Sequence, residues 1–255
     1  VTTEVLTAKT LGGLKVLPVQ QRSRYMNILI YGDSGVGKTT LAGSAAECVD
    51  LSPALIIDFE GGTESLVRRY PGVDQVRVTT WDEMQKVYDE LLRGNSGYST
   101  VILDSLTEIQ KFNMYNIMED LIKEKPDREI DVPSMREWGK NLEQIRRFVR
   151  AFRDLPMNTI FTALKKDDKN ERTGMVTTKP SLSGKMADEV AAFLDIVVYY
   201  YIKNVKDNGE NLEKRLLLTT KTETIIAKDR TGQLPQVIED PTMQKLFDMI
   251  NGSEE

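Results

Sequence analysis

Apolar positions along this chain follow two patterns. Runs of four to seven mostly apolar residues recur at 26–31, 54–58, 75–78, 100–104, 159–163, 195–201, 215–220 and 224–227. Runs of this length, bounded by polar and glycine-containing stretches, predict strands. Several are continuous rather than alternating, the pattern of strands covered on both faces. Other stretches carry helical spacing. Trp138, Leu142, Ile145, Val149 and Phe152 step by four and three residues, as do Trp81, Met84, Tyr88 and Leu91. Each set forms one stripe on a helix and is expected to face a core. A short closing helix is predicted over 241–250, with a polar tail at 252–255. Strands alternating with helices predict an α/β fold, with a mainly parallel central sheet and helices on both faces. Residues 26–251 read as one domain, and 1–25 as an N-terminal segment.

The first of these strands leads into Gly32-Asp33-Ser34-Gly35-Val36-Gly37-Lys38-Thr39, followed by Thr40 and a helix-compatible stretch. Every fixed position of the phosphate-binding P-loop, G-x-x-x-x-G-K-[ST], is filled. A nucleoside triphosphate brings several negative charges that must be desolvated without being left unpaired. The glycines let the chain turn tightly enough for successive backbone N–H groups to face inward. The following helix adds the positive end of its dipole. Lys38 is placed for the β- and γ-phosphates and the Thr39 hydroxyl for Mg²⁺.

Composition narrows the class. The chain has 255 residues, 40% of them hydrophobic, enough for one large domain. No apolar run approaches the roughly 20 residues of a membrane span, and no secretory signal is visible. Cys48 is the single cysteine, so no internal disulfide forms, and the expected setting is the cytoplasm. There is no histidine, which excludes histidine acid–base chemistry and histidine-containing zinc sites. A net charge of −5 argues against a surface broadly coated by nucleic acid, so any DNA contact is local.

Three further stretches carry candidate chemistry. The strand at 100–104 ends in Asp104, and an aspartate there holds Mg²⁺ or its water shell in P-loop proteins; apolar strands also end in Asp without such a role. The strand at 54–58 runs into Asp58-Phe59-Glu60-Gly61-Gly62. Glu60 can orient and deprotonate an attacking water, or be a solvated acid in a glycine turn. Lys228-Asp229-Arg230-Thr231-Gly232 follows a predicted strand. Lys228 and Arg230 can point together at a neighbouring subunit's γ-phosphate, or form an ordinary basic turn.

These stretches, with Leu103-Asp104-Ser105-Leu106-Thr107-Glu108 and the P-loop, resemble the phage AAA-type ATPases with a RecA-like core, several of which are recombination proteins that anneal or pair single strands. The resemblance spans residues 27–234. It implies ATP on Gly32 to Thr40, Mg²⁺ near Thr39 and Asp104, and Glu60 as the water-activating carboxylate. It implies Lys228 and Arg230 as a trans-acting pair in a homo-oligomeric ring or filament. Thr162 stands where such proteins carry a polar γ-phosphate sensor, as Thr rather than the Gln of RecA. The loop over 164–185 corresponds to one that binds single-stranded DNA, with Lys165, Lys166, Lys169, Arg172, Lys179 and Lys185 against Asp167, Asp168 and Glu171. That loop has no interleaved aromatics for base stacking. The helix over 134–154 adds Arg136, Lys140, Arg146, Arg147, Arg150 and Arg153. Val5-Leu6-Thr7-Ala8 matches the short hydrophobic-x-x-Ala segment by which RecA-like polymers dock on the adjacent subunit. A single-strand-binding protein is a further implied partner, a membrane is not, and the implied setting is an infected bacterial cell.

Other readings compete. One is a nucleotide-gated DNA-binding module with little hydrolysis. A GTPase switch is another, since Asp58-Phe59-Glu60-Gly61 formally fits Asp-x-x-Gly, but no Asn-Lys-x-Asp is present to read guanine. A ring helicase or packaging motor would need further domains to grip duplex DNA.

Overall fold

A computed structural model describes residues 9–16, 25–207 and 210–252. Val5-Leu6-Thr7-Ala8 and the last three tail residues lie outside them. A small antiparallel pair, β1 (Lys9–Leu11) and β2 (Leu14–Val16), precedes the domain. The central strand is β3 (Asn27–Gly32), buried along its length. Leu29 and Tyr31 point into one core while Ile28 and Ile30 point into the other. That two-residue period explains the continuous apolar runs, because both faces of the sheet are covered.

Parallel neighbours extend from β3 on both sides. In spatial order they are β5 (Val73–Arg77), β4 (Ala54–Asp58), β6 (Thr100–Asp104), β7 (Asn158–Lys169), β3 and β9 (Ile196–Asp207). Antiparallel β10 (Glu210–Leu218) and β12 (Val237–Glu239) continue the sheet beyond β9. Helices α3 (Trp81–Leu92), α4 (Leu106–Glu124), α5 (Met135–Arg153) and α6 (Met186–Phe193) cover one face. On the other lie α1 (Lys38–Gly43), α2 (Glu64–Val67) and α7 (Met243–Asn251). The predicted α/β architecture is the one observed. Among the described residues no helix is long and apolar enough to cross a membrane.

The connectivity matters for the site. Strand β7 lies between β3 and β6 although it follows both in sequence. The C-terminal ends of β3, β4, β6, β7 and β9 therefore open on one edge, at the reversal of strand order where open α/β sheets bind ligands.

The structure departs from the sequence expectations at three places. The segment over 164–185 is largely a β-hairpin: β7 runs on to Lys169, turns, and returns as β8 (Val176–Pro180). The extension of β7 over 165–169 is charged, with its last three residues exposed, and β8 is largely polar, so backbone pairing forms the hairpin without a hydrophobic signal. Residues 224–227 form no strand. Ile225 makes one bridge to Thr178, the Ile226 carbonyl accepts the Tyr31 hydroxyl at 2.6 Å, and the paired segment is β11 (Lys228–Asp229). Finally, Trp138 is not core. It is 42% exposed at the start of α5, beside Met114, Tyr115 and Pro133, and the buried stripe begins one turn later.

Candidate nucleotide site

Gly32 ends β3 and opens the P-loop. Its α-carbon lies so close to β9 that a β-carbon there would stand 2.1 Å from the Tyr200 carbonyl oxygen. Gly37, immediately before α1, has φ 103°, a left-handed conformation that strains any L side chain. Lys38 is 8% exposed and donates from Nζ to the Asp33 carbonyl oxygen at 2.7 Å. Burial lowers its pKa, and the nearby Asp104, Glu60 and Asp33 partly offset this.

Asp104, at the end of β6, is the meeting point of the site. Thr39 Oγ1 donates to its Oδ2 at 2.7 Å, and Thr162 Oγ1 from β7 donates to its Oδ1. The strand order explains this, since β7 carries Thr162 between the P-loop strand and the Asp104 strand. The Asp104–Ser105 peptide is cis. Ser105 Oγ donates to Glu60 Oε1 at 2.5 Å. Burial raises the Glu60 pKa, Asp104 and Glu108 raise it further, and Ser105 and Lys38 pull it down.

Asp58 builds the loop that carries Glu60. It is fully buried, and its Oδ1 accepts from the Glu60 and Gly61 amides at 3.0 and 2.7 Å. Its Oδ2 accepts from Gln75 Nε2 at 2.8 Å. Both oxygens of Asp58 are thus committed to structure, whereas Asp104 touches Thr39. The Asp-x-x-Gly reading of a GTPase switch loses its key residue. The sequence of this stretch draws attention to Glu60 and the glycines; side-chain capping of its own turn is the signal that points to Asp58. Asp58→Ala strips an acceptor from two loop amides and from Gln75, at an expected cost of about 2–4 kcal/mol. A thermal melt should show that loss, and hydrolysis should fall while triphosphate affinity changes little. Unchanged stability and rate would remove Asp58 from this role.

A cleft of about 520 Å³ adjoins the outer side of the P-loop, between Gly37 and Thr40 on one wall and Arg69, Tyr70, Tyr200 and Arg215 on the others. Sequence reading missed it, because its walls come from α2, β9 and β10, which are distant along the chain.

The remaining candidates fall elsewhere. Lys228 donates to the Ala191 and Leu194 carbonyls, both at 2.8 Å, and Arg230 pairs with Asp195 at 2.9 Å and donates to Ala192 at 3.2 Å. Both therefore sit on the C-terminal end of α6, where cations are favoured. Strand β11 aligns Lys228 with Val197, level with Leu29, whereas the P-loop starts level with Tyr200. The pair is some 10 Å down the sheet from this chain's own cradle. Of the hairpin cations, Lys165 faces Asp33 at 3.4 Å, Lys166 donates to the Leu182 carbonyl, and Lys179 pairs with Asp168 at 2.5 Å. Lys169, Arg172 and Lys185 are exposed. On α5, Arg146 bridges to Glu189 at 2.7 Å, Arg153 pairs with Asp154, and Arg150 lies over the Phe193 ring. Much of that helix's positive charge is therefore spoken for.

The donor set suits Mg²⁺. Thr39 and Asp104 offer hard oxygens at one point, and Mg²⁺ commonly takes one or two protein oxygens with phosphates and water completing its shell. Among the described residues no cluster of three or more His, Cys, Asp or Glu forms an all-protein cage.

No curated protein matches the chain. Among solved structures, an ATPase from the type III secretion system of pathogenic bacteria shares 17% identity, with a TM-score of 0.44, over 69% of this chain and 51% of that one. The assembled ATPase EscN of the enteropathogenic E. coli type III secretion system shares 18%, with a TM-score of 0.42, over 69% and 43%. The chain thus spans about half the length of these proteins or less. Residues 24–231 match the profile of an AAA domain. With the P-loop cradle, Thr39 on Asp104 and that match over most of its length, the chain belongs to the AAA domain family, and its nucleotide site is of the P-loop ATPase type.

Proposed function

We propose that this protein binds ATP with Mg²⁺, hydrolyses it, and couples the cycle to single-stranded DNA in a phage-type recombination reaction, annealing or pairing strands in an infected bacterial cell. The observation that carries the hydrolytic part is the convergence of Thr39, Thr162 and Asp104 beside Glu60 held by Ser105. Loop amides and Lys38 hold the phosphate tail, while the cleft beside Tyr70 and Tyr200 takes the nucleoside. Thr39 and Asp104 would hold Mg²⁺, which would supply charge neutralisation on the phosphate oxygens. Glu60, with its raised pKa, accepts a proton from water readily and is positioned by Ser105 to do so. Thr162 reports the state of Asp104 to β7, and β7 continues into the hairpin.

Two finer parts rest on placement. Lys228 and Arg230 lie too far down the sheet to serve their own cradle, which favours action on a neighbour in a ring or filament. Their contacts to α6 are the alternative role. The exposed Lys169 and Arg172 near the hairpin tip supply local positive charge for a DNA backbone. A single-strand-binding protein is a further partner of the same proposal. The test is the ATP hydrolysis rate with and without single-stranded DNA, with Lys38→Ala as control. Stimulation by DNA that Lys38→Ala abolishes, together with a loss of triphosphate affinity of about a hundredfold, is expected. A rate indifferent to DNA would break the link to recombination and leave the nucleotide site standing. If a non-hydrolysable analogue supported annealing as well as ATP, the nucleotide-gated module would be the better reading.

A further inference from the structure

Lys165 occupies an unusual position between the nucleotide cradle and the hairpin. It follows Leu164, which pairs with Gly32 across the parallel β3–β7 ladder, so Lys165 emerges beside the first residues of the P-loop. Its Nζ lies 3.4 Å from Asp33 Oδ2 and 3.5 Å from Asp167 Oδ2, next to the Tyr199 phenol. Asp33 thereby holds two cations, Lys38 on its carbonyl and Lys165 on its carboxylate. The Lys165 side chain is 24% exposed but that of Asp33 is 61% exposed, and an ion pair at 3.4 Å to so open a carboxylate contributes little and is easily exchanged. A terminal phosphate is a denser anion than that carboxylate and accepts charge-assisted hydrogen bonds more strongly.

Resting on the nucleotide reading above, we propose that Lys165 is a specificity residue that discriminates triphosphate from diphosphate: it leaves Asp33 for the γ-phosphate and draws the base of the β7–β8 hairpin with it. Three features support the transmission. Lys165 is inside the hairpin's own ladder, opposite Pro180. Leu164 donates its amide to Thr107 Oγ1 at 3.0 Å, and Thr107 donates to the Ser181 carbonyl at 3.3 Å, tying both hairpin strands to the first turn of α4. The hairpin's other basal cations are already engaged, Lys166 by the Leu182 carbonyl and Lys179 by Asp168, and cannot substitute. A move of Lys165 is therefore felt by the hairpin, whose tip carries Lys169 and Arg172.

The experiment compares binding of ADP and of a non-hydrolysable ATP analogue, each with Mg²⁺, to the wild type, Lys165→Met and Lys165→Arg. Lys165→Met keeps the apolar stem and removes the charge, so the fold is retained, and ADP binding by each variant verifies that. Wild type should prefer the triphosphate, Lys165→Met should lose about tenfold of that preference at nearly constant ADP affinity, and Lys165→Arg should recover most of it. Amide exchange over 164–180 should differ between the two nucleotides in wild type and not in Lys165→Met. An unchanged preference in Lys165→Met, with ADP still bound, overturns the assignment. Failure of the wild type to bind either nucleotide would instead sink the nucleotide reading itself.

Discussion

Glu60→Gln is expected to lower ATP turnover by about 10²- to 10⁴-fold while leaving triphosphate affinity nearly intact. The amide has the size of the carboxylate and can still accept the Ser105 hydroxyl, so the loop built by Asp58 stays in place. What it cannot do is take a proton from water. A pH profile adds a second check. Glu60 acts only when ionised, and burial raises its pKa above the usual carboxylate range. The hydrolysis rate should therefore climb with pH along an acid limb displaced upward from that of an ordinary glutamate, and Glu60→Gln should abolish that limb along with the rate. Hydrolysis of near wild-type rate in the variant would make Glu60 a solvated turn residue and require another base.

The other large effect is expected at Gly32. A methyl group there meets the Tyr200 carbonyl oxygen at 2.1 Å, and the obstruction is backbone, which cannot swing aside. Strands β3 and β9 must separate at the pairs Tyr31–Tyr199 and Gly32–Tyr200, where the cradle begins. Gly32→Ala should cost about 2–4 kcal/mol, a fall in melting temperature of about 5–15 °C for a domain of this size, and should remove nucleotide binding with it. Gly62→Ala is the matched control. A β-carbon at Gly62 meets nothing within 4 Å, so that variant should melt and bind as wild type. If Gly32→Ala behaved like Gly62→Ala, the close approach of β3 to β9 would not exist in solution.

Much of this protein could be read in one dimension. The P-loop is contiguous, its ligands are set by backbone amides and one lysine, and both lie within eight residues. Strands buried on both faces need long apolar runs, so β3, β4 and β6 announced themselves, and the stripes of α3 and α5 did so through their helical period. The exceptions have physical causes. The hairpin is made mostly of charged and polar residues whose backbone hydrogen bonds leave no apolar run. Trp138 shares the stripe's spacing, yet it lies at the first turn of α5, at the edge of the covered surface.

Only the tertiary structure could decide which residues meet. Thr162 reaches Asp104 because β7 inserts between β3 and β6, an order that sequence adjacency cannot supply. Asp58 and Asp104 look alike in sequence, each an acid ending an apolar strand. One is consumed by its own turn and the other faces the P-loop threonine. The cleft lined by Tyr70, Tyr200 and Arg215 and the contact of Lys165 with Asp33 likewise join segments distant along the chain. Local sequence specifies the groups that bind phosphate, because that chemistry is local; strand order and register specify their partners, because those depend on which edges lie side by side.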